Sequence, residues 1–418
     1  MGKNILIFAD GTGNEGGLLP DESRTNVYKL FRATRTGPDS PINPAEQIAF
    51  YIPGVGTSTP GEAQRLPKRL WRGLLQAIGG GLTRRIIDGY VAIISVWAPG
   101  DRIYLFGFSR GAYIARCIAN VLECAGIPTR QADGKPLSLE PGSLRALAKE
   151  GVRTRYSLGL PKQDVTARDT AAAEFRDRYA SAVGVPPTGP LPYFVGAWDT
   201  VAALGWNHFL ISWLIHKIRK SDHLFDMHFP KDVPYARHAM AIDEYRKDFV
   251  RVPWGGSGTV SYDDLDGLQR FDQVWFAGNH ADIGGSYPEN ESRLSDITLQ
   301  WMADLVTKDL PTEGRIHMQA ELLQSFPASN GMLHDELMAG VGSHHLHLLV
   351  RGDRKVDPTG TLHPTVIDRL KMKRVRNYVG FGPYRPKSLE EHPKAKEYYV
   401  DHETRGEEAP QPGCAPSS

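Results

Sequence analysis

Cysteine is scarce in this chain of 418 residues: Cys117, Cys124 and Cys414 are the only three. So small and odd a set cannot form a disulfide framework, and a reducing compartment is the expectation. On one helix Cys117 and Cys124 would stand about 10 Å apart along the axis, too far to be bridged. An excess of either charge is also missing, since 49 Lys and Arg face 48 Asp and Glu. That balance removes the electrostatic case for bulk nucleic-acid binding.

Long apolar runs are absent too. Of the stretches free of Asp, Glu, Lys and Arg, Tyr179 to Trp198 is broken by four prolines, and Thr200 to His216 has 17 residues interrupted by Asn207, His208 and Ser212. The second is short and polar beside the roughly 20 apolar residues of a membrane span. At the N-terminus Asp10 arrives before a signal-peptide core can form, and Leu6 stands where a myristoylation motif wants Ser or Thr. The expected location is the cytoplasm. No internal repeat is visible, which excludes solenoids and propellers.

What remains is an ordinary globular composition, 41% hydrophobic and 23% charged, with 43 glycines and 30 prolines to make turns. Its length allows two or three domains. Five short apolar runs predict buried strands: Ile5 to Ala9, Ile48 to Ile52, Ile103 to Phe106, Tyr193 to Ala197, and Val274 to Ala277. Helical spacing predicts helices over Leu82 to Trp97 and over Arg110 to about Glu123, the second stopped by Gly126-Ile127-Pro128. Strands alternating with helices argue for an α/β fold around a mostly parallel sheet. The polar, Pro-punctuated stretch 128–192 reads as an insertion or cap, with helices near Ser143 to Glu150 and Val165 to Val183. After about Glu390 the chain turns charged and then Pro-rich, and 391–418 is expected to be a disordered tail.

The segment Ile103-Tyr-Leu-Phe-Gly107-Phe-Ser109-Arg110-Gly111 holds the only Gly-x-Ser-x-Gly of the chain. The pattern is weak alone, but its place between a strand and a helix is the setting of a nucleophile elbow. Gly107 and Gly111 would spare the turn two side chains, Ser109 would project at the sheet edge, and the Arg110 amide would face an oxyanion. A Gly-rich helix start with Ser109 as its cap is the competing account.

A serine nucleophile needs a base, and the base an orienting carboxylate. Asp199 follows the fourth apolar run and is the acid candidate; a helix cap or turn carboxylate is its plainer reading. His280 follows the fifth run, flanked by Gly278 and Gly284, and is the best placed of 14 histidines, ahead of His238, His334 and His363. Asp282 would support it or bind a metal. Gly11 and Thr12, in the turn after the first run, are the second pair of oxyanion donors, with Asp10 supporting. That turn is similar to the Asp-x-Asp-Gly-Thr of aspartyl-phosphate hydrolases, but Phe8 occupies the nucleophile position and the reading falls.

Taken together these segments resemble the catalytic domain of type VI secretion phospholipase effectors, the first lipase-effector family. The resemblance rests on Asp10-Gly11-Thr12, Gly107 to Ala112, Val195 to Val201, Ala239 to Arg246, Gly278 to Tyr287, Leu294 to Met302, Leu362 to Val366 and Tyr384 to Pro386. Departures are Ala197 for a usual valine, the Asn279-His280-Ala281-Asp282 sequence, and Ser286 for a third glycine. The resemblance implies a single α/β-hydrolase-like domain over 1–390 that cleaves phospholipid esters without a cofactor or metal, with Ser109, Asp199 and His280 on the triad positions. It also implies signal-independent export by a type VI system.

Two other functions stay open at this level: an acyl hydrolase or transferase on a soluble ester, thioester or amide, and a non-catalytic binding protein on the same fold. The run from Trp206 to Ile215, followed by Lys217, Arg219 and Lys220, reads either as an amphipathic lid or membrane contact, or as a core helix.

Overall fold

In a computed structural model of the chain, the structure describes residues 2–14, 16, 23–55, 70–156, 165–186, 188–201, 229–246, 249, 254, 264–265, 267–336, 352–378 and 380–400. The expected lid at 201–220, from residue 202 onward, and the end of the tail, 401–418, lie outside the described residues.

Every residue of β1 (Asn4–Ala9) is buried, and alternate side chains enter different cores. Leu6 and Phe8 join one; Ile5, Ile7 and Ala9 join the other. A strand with two buried faces reads as a continuous apolar run, which is why it was visible in the sequence. The chain continues through α1 (Asn26–Thr34), β2 (Gln47–Ile52), α2 (Leu70–Val96), β3 (Arg102–Phe108) and α3 (Arg110–Ala125). Next come α4 (Pro141–Arg155), α5 (Val165–Tyr179), β4 (Phe194–Trp198) and β5 (Tyr235–Ala241). A small antiparallel hairpin, β6 (Asp264–Leu265) with β7 (Leu268–Gln269), precedes β8 (Phe271–Phe276). The remaining elements that matter here are α6 (His280–Gly284), α7 (Arg293–Asp304), β9 (Thr361–Leu362) and α8 (Pro364–Lys371).

Seven strands form one parallel sheet in the order β2-β1-β3-β4-β5-β8-β9. The fold is therefore α/β, with helices on both faces. On one side the core is closed by Ile86, Tyr90 and Ile93 of α2, Ile114, Ile118, Val121 and Leu122 of α3, and Leu144, Ala148 and Val152 of α4. On the other it is closed by Val27 and Leu30 of α1, Leu294, Leu299 and Met302 of α7, and Val366 and Leu370 of α8. The 128–192 segment thus contributes α4 and α5 as an outer layer on α2 and α3. Cys117 and Cys124 both lie on α3 and are free.

Two differences from the sequence reading concern boundaries. β5 carries Arg237 and His238 in its centre, which breaks the apolar pattern, yet the strand is wholly buried. Arg237 donates to the carbonyls of Ala236 and Arg270, and His238 Nε2 accepts the Thr200 amide at 3.1 Å, so each side chain is anchored by backbone groups. Packed chain also extends past Glu390: Ala395 is fully buried and the Tyr399 hydroxyl donates to the Pro386 carbonyl at 2.7 Å. The expected tail boundary is corrected to beyond Val400, because Leu389 and Ala395 complete the core over α8. Among the described residues no helix is long and apolar enough to cross a membrane.

Candidate active site

All strands being parallel, their carboxyl ends share one edge of the sheet, where loops carry chemistry in open α/β folds. Ser109 joins β3 to α3 at that edge, Asp199 follows β4, and His280 opens α6 after β8. Ser109 is 7% exposed and takes φ 58° and ψ −122°, a conformation L-residues rarely hold. Its amide donates to the Trp198 carbonyl at 3.0 Å, which extends the β3–β4 ladder and pins the turn. Although Ser109 stands at the cap position of α3, its side chain makes no capping hydrogen bond. The helix-cap account of this serine therefore fails on geometry.

The flanking glycines are sterically required. A β-carbon at Gly107 would lie 2.4 Å from the Gly111 carbonyl oxygen, and one at Gly111 would lie 2.0 Å from the Ala9 carbonyl oxygen. Arg110 and Gly111 open α3, so their amides belong to the first helical turn, which has no carbonyl of its own to meet.

His280 Nδ1 donates to Asp199 Oδ2 at 2.6 Å, with both side chains buried. That bond leaves Nε2 as the ring nitrogen without a hydrogen-bond partner among the described residues. The ring lies against Phe108, the neighbour of Ser109, at 4.6 Å between centroids, and against Phe249 at 5.0 Å. The His280 amide donates to Glu244 Oε2 at 3.2 Å. Glu244 also binds Arg246 through Nε at 2.8 Å and Nη2 at 2.7 Å, so a buried ion pair anchors the start of α6.

Asp199 has a positive φ of 38° and is fully buried. Its Oδ1 accepts the Ala241 amide at 3.0 Å. Arg354 then closes on both carboxylate oxygens, at 2.5 Å to Oδ1 and 2.9 Å to Oδ2. Burial alone would raise this carboxyl, but Arg354 and His280 overcome it and hold it far below the usual carboxylate range. Neither Arg354 nor Glu244 was identified from sequence.

The other candidates have different partners. Asp282 belongs to a capping box with Asn279, accepting the Asn279 amide at 3.1 Å, and binds His334 Nδ1 at 2.7 Å. It therefore buttresses α6 rather than touching His280. His363 caps α8 and stacks on Phe276; burial lowers its imidazole to about 4. Asp10 accepts hydrogen bonds from the Gly11 amide, the Thr25 hydroxyl and the Tyr51 hydroxyl, each at 2.6 Å. The Gly11 N–H, expected as an oxyanion donor, is thus directed at its neighbour's carboxylate, while Thr12 at the same turn is exposed. Among the described residues no group of three or more His, Cys, Asp or Glu side chains is arranged to hold a metal ion.

Comparison with known proteins gives relatives that are longer than this chain. Uncharacterized protein YEL023C of Saccharomyces cerevisiae is 28% identical over 259 residues, 60% of this chain but 32% of the yeast protein. The crystal structure of an uncharacterized protein from Pseudomonas aeruginosa matches at 18% identity and TM-score 0.40, over 78% of this chain and 49% of that one. The Tle1 effector bound to the VgrG spike from the type 6 secretion system matches at 18% identity and TM-score 0.38, over 69% of this chain and 52% of that one. The chain therefore spans about a third of the yeast relative and about half of each solved chain. The model of the T6SS phospholipase effector Tle1-like catalytic domain matches residues 3–305, and the chain belongs to that family.

Proposed function

We propose that the protein is a serine ester hydrolase that cleaves phospholipids or related lipid esters. One observation carries the reading: Ser109 sits in a strained turn, unused as a cap by the helix it opens, beside the ring packed on a buried His280–Asp199 pair. Strain of about 1–3 kcal/mol persists only where surrounding structure enforces it, and a bare helix start would not. Family membership supplies the substrate class.

In the proposed reaction His280 Nε2 takes the Ser109 proton as Oγ attacks the ester carbonyl. Asp199 holds the imidazole and stabilises the imidazolium. Amides of the α3 first turn, Arg110 foremost, and of Thr12 receive the oxyanion. Collapse expels the alcohol, which leaves with the proton carried by His280, and an acyl-Ser109 ester remains. Water, deprotonated by His280, then releases the fatty acid and restores the serine.

The test is labelling by a fluorophosphonate probe together with hydrolysis of phosphatidylcholine vesicles and of short soluble esters. Ser109-dependent labelling with faster vesicle turnover is expected. Labelling that survives Ser109→Ala would overturn the assignment, and turnover of soluble esters alone would overturn the lipid substrate.

A further inference from the structure

Arginines left over after charge pairing mark a second site. A cavity of about 470 Å³ is lined by Arg24, Arg32, Glu289, Arg293, Gln324 and Phe326. Three arginines and one carboxylate line it, the buried Lys29 and Asp296 pair with two of these groups, and the pairing can be followed group by group. Lys29 Nζ reaches Glu289 Oε2 at 2.9 Å and Asp296 Oδ1 at 3.0 Å. Arg293 reaches Asp296 Oδ2 at 3.1 Å, and its guanidinium lies over Phe326 at 5.2 Å. Lys29 and Arg293 share Asp296, and Lys29 takes Oε2 of Glu289, whose other oxygen, Oε1, is buried with no hydrogen-bond partner among the described residues; two of the four cations remain in excess of the two carboxylates.

Among the described residues Arg24 and Arg32 make no ion pair. Arg24 donates from Nη1 to the neutral amide oxygen of Gln324 at 3.1 Å, and its Nε is buried without a partner. For Arg32 no hydrogen bond or ion pair exists among the described residues. Burial, and then the like charge of Arg24, hold the Arg32 guanidinium below the usual arginine range. Two cations kept together in partial burial repel each other unless something negative lies between them.

We propose that this cavity binds a phosphate-type anion, held by Arg24 and Arg32 with Arg293 at its edge. Guanidinium groups present rigid forks of N–H donors that match phosphate oxygens in pairs, and a dianion cancels the surplus of two charges. The site adjoins the proposed catalytic edge. Arg24 also lines a cavity of about 310 Å³ reaching Asp10. Its carbonyl accepts the Ser286 amide at 3.0 Å, and Thr25 pairs with Gly285 at the end of α6. A phosphate here is either free or the headgroup of a lipid, and the two sources can be separated. The binding claim stands whether or not Ser109 is a nucleophile.

The experiment titrates inorganic phosphate into the full chain by calorimetry, comparing wild type with Arg24→Gln, Arg32→Gln and the double variant. Saturable binding in the wild type is expected, weakened about ten-fold or more by each single change and abolished in the double, and weakened by added salt. Absence of phosphate binding, or equal binding by the double variant, overturns the site. Melting without phosphate is an independent check: removing either arginine should leave the midpoint unchanged or raise it, because repulsion is relieved. A drop of several degrees would mean that the guanidinium is paired within the protein, and would overturn the proposal. Vesicles of phosphatidylcholine with and without phosphatidic acid then identify the source. Preferential binding of the phosphatidic acid vesicles, lost in the double variant, assigns a lipid headgroup; vesicle binding indifferent to both changes assigns a free phosphate.

Discussion

Two buried histidine–aspartate pairs meet at the short helix α6, and they differ in what the imidazole is left to do. His280 and Asp199 are joined at 2.6 Å, His334 and Asp282 at 2.7 Å. In the second pair the other ring nitrogen lies 3.3 Å from Glu291, and the ring is stacked on Tyr287 at 3.6 Å. His334 also donates its backbone amide to Asp282 at 3.0 Å. Burial would lower this imidazole, but two carboxylates outweigh it and raise the ring above its ordinary value. Both ring nitrogens are engaged by carboxylates, and the ring ties residue 334 to α6. In the first pair the other nitrogen has no hydrogen-bond partner among the described residues, and the carboxylate is shared with Arg354. A base needs a free nitrogen; a lock uses both.

The comparison breaks most visibly by exchanging each histidine for glutamine. His280→Gln should reduce ester hydrolysis by about 10⁴-fold or more with little change in melting. His334→Gln should do the reverse, costing about 1–3 kcal/mol of stability while turnover per folded molecule stays within a few-fold. The sign with pH follows from the raised folded value. Stabilisation by His334 is fully present below the unfolded value near 6.5 and is lost as pH rises through the folded one. The melting gap between wild type and His334→Gln should therefore be wider below pH 6.5 than above it, and shrink as pH rises. A loss of hydrolysis in His334→Gln as large as in His280→Gln would dissolve the distinction.

Arg354 sharpens the same contrast. It lies 155 residues from Asp199 in sequence and outside the matched span of 3–305, yet it makes the closest polar contact of the acid. Asp199→Asn should lower hydrolysis by about 10⁴-fold and destabilise the fold by about 3–5 kcal/mol, since a buried guanidinium loses its counter-charge. Adding Arg354→Gln should recover most of the stability and none of the activity. Arg354→Gln alone leaves the carboxylate undivided toward His280. The acid limb of its pH–rate profile should move to higher pH, a change that a merely structural arginine would not produce. Equal stability of Asp199→Asn and the double variant would show that the two side chains are not coupled.

These residues also mark how far the sequence could be read. Strands with two apolar faces and the Gly-x-Ser-x-Gly turn carry local signatures, because burial on both sides and a forbidden β-carbon each leave a mark within a few residues. The His280–Asp199 pairing was reachable from strand ends and chain order. Arg354 was not: it lies in Arg351-Gly-Asp-Arg-Lys355, which looks like solvated loop, and nothing local reveals that one of its charges is buried against a distant acid. β5 was hidden by Arg237 and His238, which reach backbone of Arg270 and Thr200 brought in from other parts of the chain. The Gly11 amide was misjudged for a related reason, since the rotamer of Asp10 is set by Thr25 and Tyr51.

Two further carboxyls border the site without a cation in hydrogen-bond contact, and they give the smallest expected effect. Asp10 is held by three donors, and Asp243 accepts the Gly278 amide and the Tyr384 hydroxyl at 2.7 Å on one oxygen and Tyr245 at 3.3 Å on the other. Burial nevertheless outweighs these bonds and pushes each carboxyl up to about 6 from 3.8. Groups raised on folding stabilise the protein below the unfolded value and lose that contribution as pH climbs through the folded one. For Asp243 the window therefore runs from about pH 4 to 6, and a shift of this size corresponds to about 3 kcal/mol. Asp199, depressed on folding, acts in the opposite sense and in a lower window, losing its contribution as pH falls below 3.8. Asn at 243 keeps one oxygen for Gly278 and Tyr384 and offers its amide to Tyr245. Asp243→Asn should accordingly exceed the wild type in melting by more at pH 7 than near pH 4.5, with hydrolysis little altered. A melting difference that does not change between those two pH values would show that Asp243 ionises in the folded protein as freely as it does in the unfolded chain.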